Sequence, residues 1–569
     1  MIRRITQARW PVLLAALLSS GCLQAALDRW DAVTAADPST GSTSWASTGE
    51  PATPTTSASS EIQTVTGHDE TTGAVEETTT DVGPGTSTGP PVENTPPTVM
   101  LSVEPDLLDQ AGKTALLSLN VSADVITVRL SMNGGEAVEL TPADFPYTYE
   151  ALSAKDNGMP HVFTAEVEDE EGLTATDDAA LTVQLPASGV EKCLYVDDTA
   201  VGGSEISALV YTKTAIVAGG WRDAGDGRKA TIWKLEPDTC TLVPGWYKSI
   251  VGWTEPDSGF AELESIVTAV AVDEQGKIAV GGNLIKNAGR RRYTALLAEH
   301  GGRLWEKQGT PGEEVSSVVF APGDLVISGG WRATNNPPTI DAMFWTHSPD
   351  SSVFPWVLET PFAGDPVPDP NNWRSEWIRA MVIDPDGYLV VLGEREYRDG
   401  DFQTYTRAFL ARFVPLGGQV GSPMTSPGDA YKHEAMYSLT ICGDELIAGG
   451  WTRAHNDPNA APQPLFRWVS NGVWLDKKLP ELMPSTELRG AACDREGKVI
   501  GAGVRAAGGL DARVFAFEDP LGDRAWYETG TAGDDVANGV ACDARGFCAW
   551  PGYRTVNGKK VGIVRVHHP

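Results

Sequence analysis

Gly219-Gly220-Trp221-Arg222 follows the short apolar run Ala215-Ile216-Val217-Ala218, and the same combination returns six more times. The later copies are Gly281-Gly282-Asn283, Gly329-Gly330-Trp331-Arg332, Leu392-Gly393-Glu394-Arg395, Gly449-Gly450-Trp451-Thr452-Arg453, Ala502-Gly503-Val504-Arg505 and Pro551-Gly552-Tyr553-Arg554. Between Gly220 and Gly552 the second glycines stand 48 to 63 residues apart, a loose period that matches one four-stranded propeller blade. One module reads as strand A (Ile266 to Val272), a turn Asp273-Glu274-Gln275-Gly276, strand B (Lys277 to Gly281), a polar loop, strand C (Tyr293 to Ala298) and strand D around Leu304-Trp305-Glu306. The Asp-x-x-Gly turn recurs at Asp384, Asp494 and Asp543, as a type I hairpin turn closed by a left-handed glycine requires. Strand D carries its own aromatic at Trp246, Trp305, Trp356, Trp474 and Trp526, placed to pack between neighbouring blades.

The seventh repeat ends after strand C, at Gly562-Ile563-Val564-Arg565-Val566, and lacks a fourth strand. The segment Cys193-Leu194-Tyr195-Val196-Asp197 precedes the first full module and has no blade of its own. Paired with the C-terminal strand, it completes blade seven and closes the ring, which removes two exposed sheet edges. The expected fold class is therefore all-β: a seven-bladed β-propeller over residues 188–569, with a second domain and a tether before it.

That second domain spans 96–187. Alternation begins at Val99-Met100-Leu101-Ser102-Val103 and continues in runs such as Ala115 to Val121, Ile126 to Ser131, Val162 to Val167 and Ala180 to Leu185, the pattern of a β-sandwich of about ninety residues. The entry Asn94-Thr95-Pro96-Pro97-Thr98-Val99 and the hairpin Ala165-Glu166-Val167-Glu168-Asp169 to Gly172 resemble bacterial immunoglobulin-like domains, which implies a spacer.

Residues 22–95 are dominated by Ser, Thr, Gly, Pro and acids, too poor in apolar surface to offset their ordering entropy, and read as a disordered tether. Residues 1–21 read as a signal peptide: Arg3, Arg4 and Arg9, the apolar run Pro11 to Leu18, then Ser19-Ser20-Gly21 before Cys22. The apolar run is too short for a membrane-spanning helix. The small residues before Cys22 resemble a bacterial lipobox, with Ser19 where the motif has leucine; the resemblance implies a lipid on Cys22 and an address at the outer membrane or cell surface. Cleavage near Leu23-Gln24-Ala25 would instead release a secreted protein.

The formal charge of −32 and a pI near 4.6 exclude a general nucleic-acid binder and favour a self-repelling monomer. Of the seven cysteines, six lie beyond Cys22, an even number in an exported chain. Cys542 and Cys548 flank a tight turn that places them for a disulfide across a hairpin. Cys442, Cys493 and Cys542 also occupy the position of Val272 in another repeat, which reads them as small buried hydrophobes.

The repeats resemble those of secreted bacterial seven-bladed propellers, including the delta-sixty type with its Asp-Gly-x-Ile-x-Val-x-Gly core. Gln275-Gly276-Lys277-Ile278-Ala279-Val280-Gly281-Gly282 and Asp386-Gly387-Tyr388-Leu389-Val390-Val391-Leu392-Gly393 carry the likeness. Together with tether and lipobox, the chain is similar to deltaproteobacterial surface lipoproteins.

Successive antiparallel strands alternate in direction, so the seven loops from strand B to strand C share one face. They hold 17 Lys or Arg against 9 Asp or Glu, in a chain that is strongly acidic as a whole. Six repeats place an arginine just after the glycine: Arg222, Arg332, Arg395, Arg453, Arg505 and Arg554. As a ligand-binding set they would grip carboxylates of an acidic glycan, peptide or protein; as architecture, each would tie its loop to a neighbouring acid. No catalytic motif stands out, since Gly85-Thr86-Ser87-Thr88-Gly89 lies in the tether without the strand and helix of a nucleophile elbow. No metal or cofactor site is expected. Two function classes follow: a binding or scaffolding module working through one propeller face, and a polysaccharide lyase or hydrolase with its site in the central pocket.

Overall fold

A β-branched run ending in a glycine pair makes a strand that is buried on both sides yet has no side chain at one point, and the architecture turns on that point. The computed structural model describes residues 95–569 apart from short stretches, the longest being 250–263 and 358–374. The signal peptide, Cys22 and the tether up to residue 94 lie outside the described residues, as do the side chains of Trp356 and Trp526.

Seven antiparallel sheets follow one another from residue 191 to residue 567. Their strands A are Gly203–Tyr211, Glu264–Val272, Glu313–Ala321, Glu376–Ile383, Lys432–Cys442, Thr486–Cys493 and Asp535–Ala537. Blades 1 to 6 each add strands B, C and D in sequence order. Blade 7 takes its outermost strand from Glu191–Val196, which lies antiparallel to Lys559–His567 with Tyr195 opposite Val564 and Cys193 opposite Val566. The ring is thus closed by the segment that the missing fourth strand required.

Between the blades lie apolar layers such as Val217, Ile232, Trp246, Val267 and Val280, which belong to blades 1 and 2. Trp474 joins the layer of blades 4 and 5, and Trp305 that of blades 2 and 3, so these outer tryptophans pack between sheets. At the turn after strand A, Asp273 accepts the amides of Gln275 and Lys277 while Gly276 takes φ +77°. Asp494 and Asp543 do the same in blades 6 and 7.

Three disulfides are formed: Cys193–Cys240, Cys442–Cys493 and Cys542–Cys548. The reading of Cys442 and Cys493 as unpaired hydrophobes is corrected here. They stand at the ends of strands A in adjacent blades, and the packing of blade 5 on blade 6 brings their Cα atoms to 5.6 Å. Cys193 meets Cys240 only because the ring closes, since Cys240 belongs to the turn after strand C of blade 1.

Residues 95–185 form a sandwich of a three-stranded sheet (Val99–Glu104, Thr114–Val121, Tyr147–Glu150) and a five-stranded one built around Val125–Met132, His161–Asp169 and Thr174–Val183. Strict alternation of buried and half-buried residues along His161–Asp169 gives a core of Phe163, Ala165 and Val167 against Leu117, Val128 and Leu181. The sandwich touches the propeller at its A–B turns: Arg495 lies 3.3 Å from Glu150, and Gly112 sits against Arg545, where a Cβ would come within 2.8 Å of the arginine chain. Those turns are at the far ends of strands A from Glu205, Glu314 and Glu487, so the sandwich occupies the face opposite to the B–C loops.

Candidate functional site

The second glycine of each repeat answers to a bulge in strand A. In blades 1 to 6 the pairing of strands A and B slips by one residue, between Ile206 and Ala208, Val267 and Ala269, Val315 and Ser317, Ile378 and Ala380, Met436 and Ser438, and Leu488 and Gly490. The bulge turns a strand A carbonyl toward strand B: a Cβ at Gly220 would lie 1.9 Å from the oxygen of Glu205, and one at Gly330 1.9 Å from that of Glu314. Gly450, Gly503 and Gly552 face the same obstruction from Ala435, Glu487 and Val536. Only glycine fits beneath that carbonyl.

The extra residue of each bulge points to the axis, where a cavity of about 250 Å³ is lined by strands A of all seven blades. In blade order the ring reads Ser207, Thr268, Ser316, Arg379, Tyr437, Arg489 and, from the break in strand A of blade 7, Asn538. Three of these are ties between blades. Thr268 Oγ1 donates to Val315 O at 2.7 Å, Ser316 Oγ to Ile378 O at 2.5 Å, and Asn538 Nδ2 to Ile206 O at 3.0 Å. Each reaches the carbonyl just before the bulge of the next blade. Arg379, Tyr437 and Arg489, in consecutive blades, are too long for that role and break the pattern, and their heads occupy the cavity wall.

Their surroundings hold them in place. Arg379 donates from Nη2 to Glu394 Oε2 at 2.7 Å, with its guanidinium 5.8 Å from the Trp377 ring and 5.7 Å from the Tyr437 ring. Tyr437 Oη accepts the indole N–H of Trp451 at 3.3 Å. Arg489 Nη1 donates to Asn538 Oδ1 at 2.9 Å, and Asn538 Nδ2 is also 3.1 Å from Glu205 Oε1. Glu205 in turn accepts from Trp221 Nε1 at 3.3 Å and from Lys560 Nζ at 2.8 Å. Burial pushes the Glu394 carboxyl above its ordinary pKa, against the opposing pull of Arg379. Burial likewise raises the Tyr437 phenol, with the charge of Glu394 adding to it, so the ring hydroxyl stays protonated and able to donate.

The six arginines that the repeat pattern singled out are elsewhere. They belong to strand B, one strand removed from the axis, and none is among the residues lining the cavity. Arg222 Nη2 donates to Thr199 Oγ1 at 2.7 Å and Nε lies 3.3 Å from Asp197. Arg395 is buried on Glu376, and Arg453 stacks 5.4 Å above the Trp451 ring. In register across strand A, Arg332 stands opposite Glu313, Arg505 opposite Thr486 and Arg554 opposite Asp535. The positive surplus of the B–C loops also meets acids at the starts of strands A: Arg290 with Glu314 at 3.0 Å, Arg292 with Glu313 at 2.9 Å, and Lys560 with Glu205.

The ring around the cavity went unread because no fixed residue type marks it. The signal that finds it is positional: it is the strand A residue that faces the gap between the two glycines.

No protein family and no curated protein matches the sequence. Among solved structures the chain is similar in fold to an α-L-arabinanase of Penicillium chrysogenum complexed with arabinobiose, at 10% identity over 52% of this chain and 91% of that one, with a TM-score of 0.37. It is similar to Sqt1 of Chaetomium thermophilum at 13% identity, over 66% of this chain and 100% of that one, also with a TM-score of 0.37. The propeller domain of the Trilobed protease of Pyrococcus furiosus aligns at 8% identity over 64% and 93% of the two chains, TM-score 0.37.

Proposed function

We propose that this protein is an exported, lipid-anchored binding module that holds one unit of a glycan in the axial cavity of its propeller. The observation that carries the reading is the loss of repeat symmetry at one position. The recurring Asp turns serve one structural end wherever they occur, whereas the bulge position changes chemistry from hydroxyls in blades 1 to 3 to Arg379, Tyr437 and Arg489 in blades 4 to 6. A volume near 250 Å³ is smaller than the ~300–1,000 Å³ of drug-sized pockets. It suits a single sugar ring, and its hydroxyls on one side and donors on the other suit the hydroxyls of that ring. Acids beside the cavity wall, Glu205, Glu394 and Glu487, are each paired with a cation, Lys560, Arg379 and Arg489, which favours binding over acid–base catalysis. Three disulfides support an oxidising address beyond the cytoplasm, and Cys22 is the residue that would carry the lipid.

A polysaccharide panel read by surface retention tests this. The wild type is expected to retain at least one glycan without releasing new reducing ends. An Arg379→Ala/Tyr437→Phe variant should lose about tenfold or more in affinity, as for a charged hydrogen bond removed, while Arg332→Ala/Arg453→Ala should bind as the wild type does. Loss in the second variant alone would move the site to the loop face, and reducing-end release would make the protein an enzyme. Palmitate labelling of the wild type but not of Cys22→Ala is the corresponding check on the anchor.

A further inference from the structure

We infer that the cavity selects a singly charged, carboxylated sugar, a hexuronate, with Arg489 and Tyr437 gripping the carboxylate; this rests on the glycan-binding reading above. Among the described residues the charges around the cavity are paired one against one, and the pair of Arg489 is the loosest. Arg379 has Glu394 at 2.7 Å, Lys560 has Glu205 at 2.8 Å and Arg290 has Glu314 at 3.0 Å. For Arg489 the nearest carboxylate among the described residues is Glu487 at 3.8 Å, with both side chains about a third exposed, a separation and setting in which an ion pair contributes little.

The hydrogen bond that fixes Arg489 goes to a neutral acceptor, Asn538 Oδ1, so the guanidinium is positioned by a group that does not neutralise it. Asn538 is itself fixed by Glu205 Oε1 and Ile206 O. This is a preorganised cation with donors left over, at the wall of a small polar cavity. The neighbouring blade supplies a second donor: Tyr437 Oη spends a lone pair on Trp451 Nε1 and keeps its proton. A planar guanidinium and a phenol hydroxyl, offered by neighbouring blades to the same cavity, supply the donors that the two oxygens of a carboxylate accept. A cation held only loosely by its own acid, Glu487, answers to a single negative charge rather than to a phosphate dianion. Across the cavity, Thr268 and Ser316 give their protons to backbone carbonyls and present lone pairs, the acceptors that the hydroxyls of a sugar ring need.

Calorimetric titration of the full mature chain with D-galacturonate, D-glucuronate, D-galactose, D-glucose and N-acetyl-aspartate decides the matter. Expected is an affinity for at least one uronate that exceeds its neutral parent by on the order of tenfold to a hundredfold. That preference should disappear in Arg489→Gln, weaken in Tyr437→Phe, and survive in part in Arg489→Lys, which keeps charge and loses the planar fork. Equal affinity for uronate and neutral parent would overturn the carboxylate assignment and leave glycan binding standing. N-acetyl-aspartate binding as tightly as the uronates would overturn the sugar as the carboxylate's source. Binding of no sugar at all would overturn the glycan reading itself. Thermal melting of the three variants guards against a misfolded negative, and the lysine variant keeps the test decisive if the glutamine variant fails to fold.

Discussion

At the scale of single residues, the glycine pair and the cavity are two consequences of one bulge. The extra residue in strand A rotates a carbonyl under strand B and aims a side chain at the axis, so the glycine that is easy to read in sequence and the cavity-lining residue that is not are set by the same slip. The two glycines of a pair need not be equally demanding. A Cβ at Gly330 meets the Glu314 carbonyl at 1.9 Å, backbone that cannot move without breaking the bulge, whereas one at Gly329 meets Met381 Sδ at 2.5 Å, the end of a flexible side chain. Gly330→Ala should cost about 3 kcal/mol or more and Gly329→Ala about 1 kcal/mol, judged by the range of core overpacking penalties. Urea unfolding of the two variants measures the difference, and equal losses would show that the carbonyl contact is not what conserves the repeat's shape. The six arginines were legible as a recurring type. Their partners, Asp197 and Glu376 among them, were not, because an acid just before strand A or at its start lies far in sequence from the arginine it faces.

At the scale of elements, the period, the strand order and the closing strand could all be read from the chain, since each blade is local in sequence and its turns carry Asp and Gly at fixed places. What could not be read was which ends meet. The pair Cys542–Cys548 is six residues apart, within reach of a hairpin, and was expected; Cys193–Cys240 is 47 residues apart and spans the seam where blade 7 meets blade 1. The chain-entropy relation makes the two unequal: closing the longer loop is worth up to about 4 kcal/mol, the shorter about 2 kcal/mol. Removing the seam disulfide by Cys193→Ser/Cys240→Ser should therefore lower the melting temperature more than Cys542→Ser/Cys548→Ser. The reverse order in calorimetry would mean that the ring is held shut by the strand pairing of Tyr195 with Val564 and its neighbours, with the staple incidental.

At the scale of the whole molecule, the sandwich sits on the A–B turns whereas the cavity is lined by the middle of strands A, so what fixes one should leave the other untouched. Arg545 is the keystone of the junction. Its Nε lies 2.7 Å from Asp543, its Nη1 3.0 Å from Asp238 and its guanidinium 5.0 Å from the Phe547 ring, while Gly112 of the sandwich rests on its aliphatic stem. Asp543 is fully buried, so truncating Arg545 strands an acid without its cation. The linker beside it is held by the C-terminus: Gly189 N donates to His568 O at 3.0 Å, and His568 N to Val190 O at 2.9 Å. Arg545→Ala should loosen this junction by about 1 to 3 kcal/mol, within the usual span for a broken charged network. Cleavage that requires local opening would then accelerate on the order of tenfold or more, because proteolysis tracks the open population when closing is fast. Timed thermolysin digestion, with cuts at Val190 followed by mass spectrometry, measures it. Glycan affinity at the axial cavity should stay at the wild-type value in the same variant; a parallel loss of affinity would mean that the junction and the cavity are coupled through the blades, and an unchanged cleavage rate would mean that Arg495 with Glu150 and the linker's own bonds are enough to seat the sandwich.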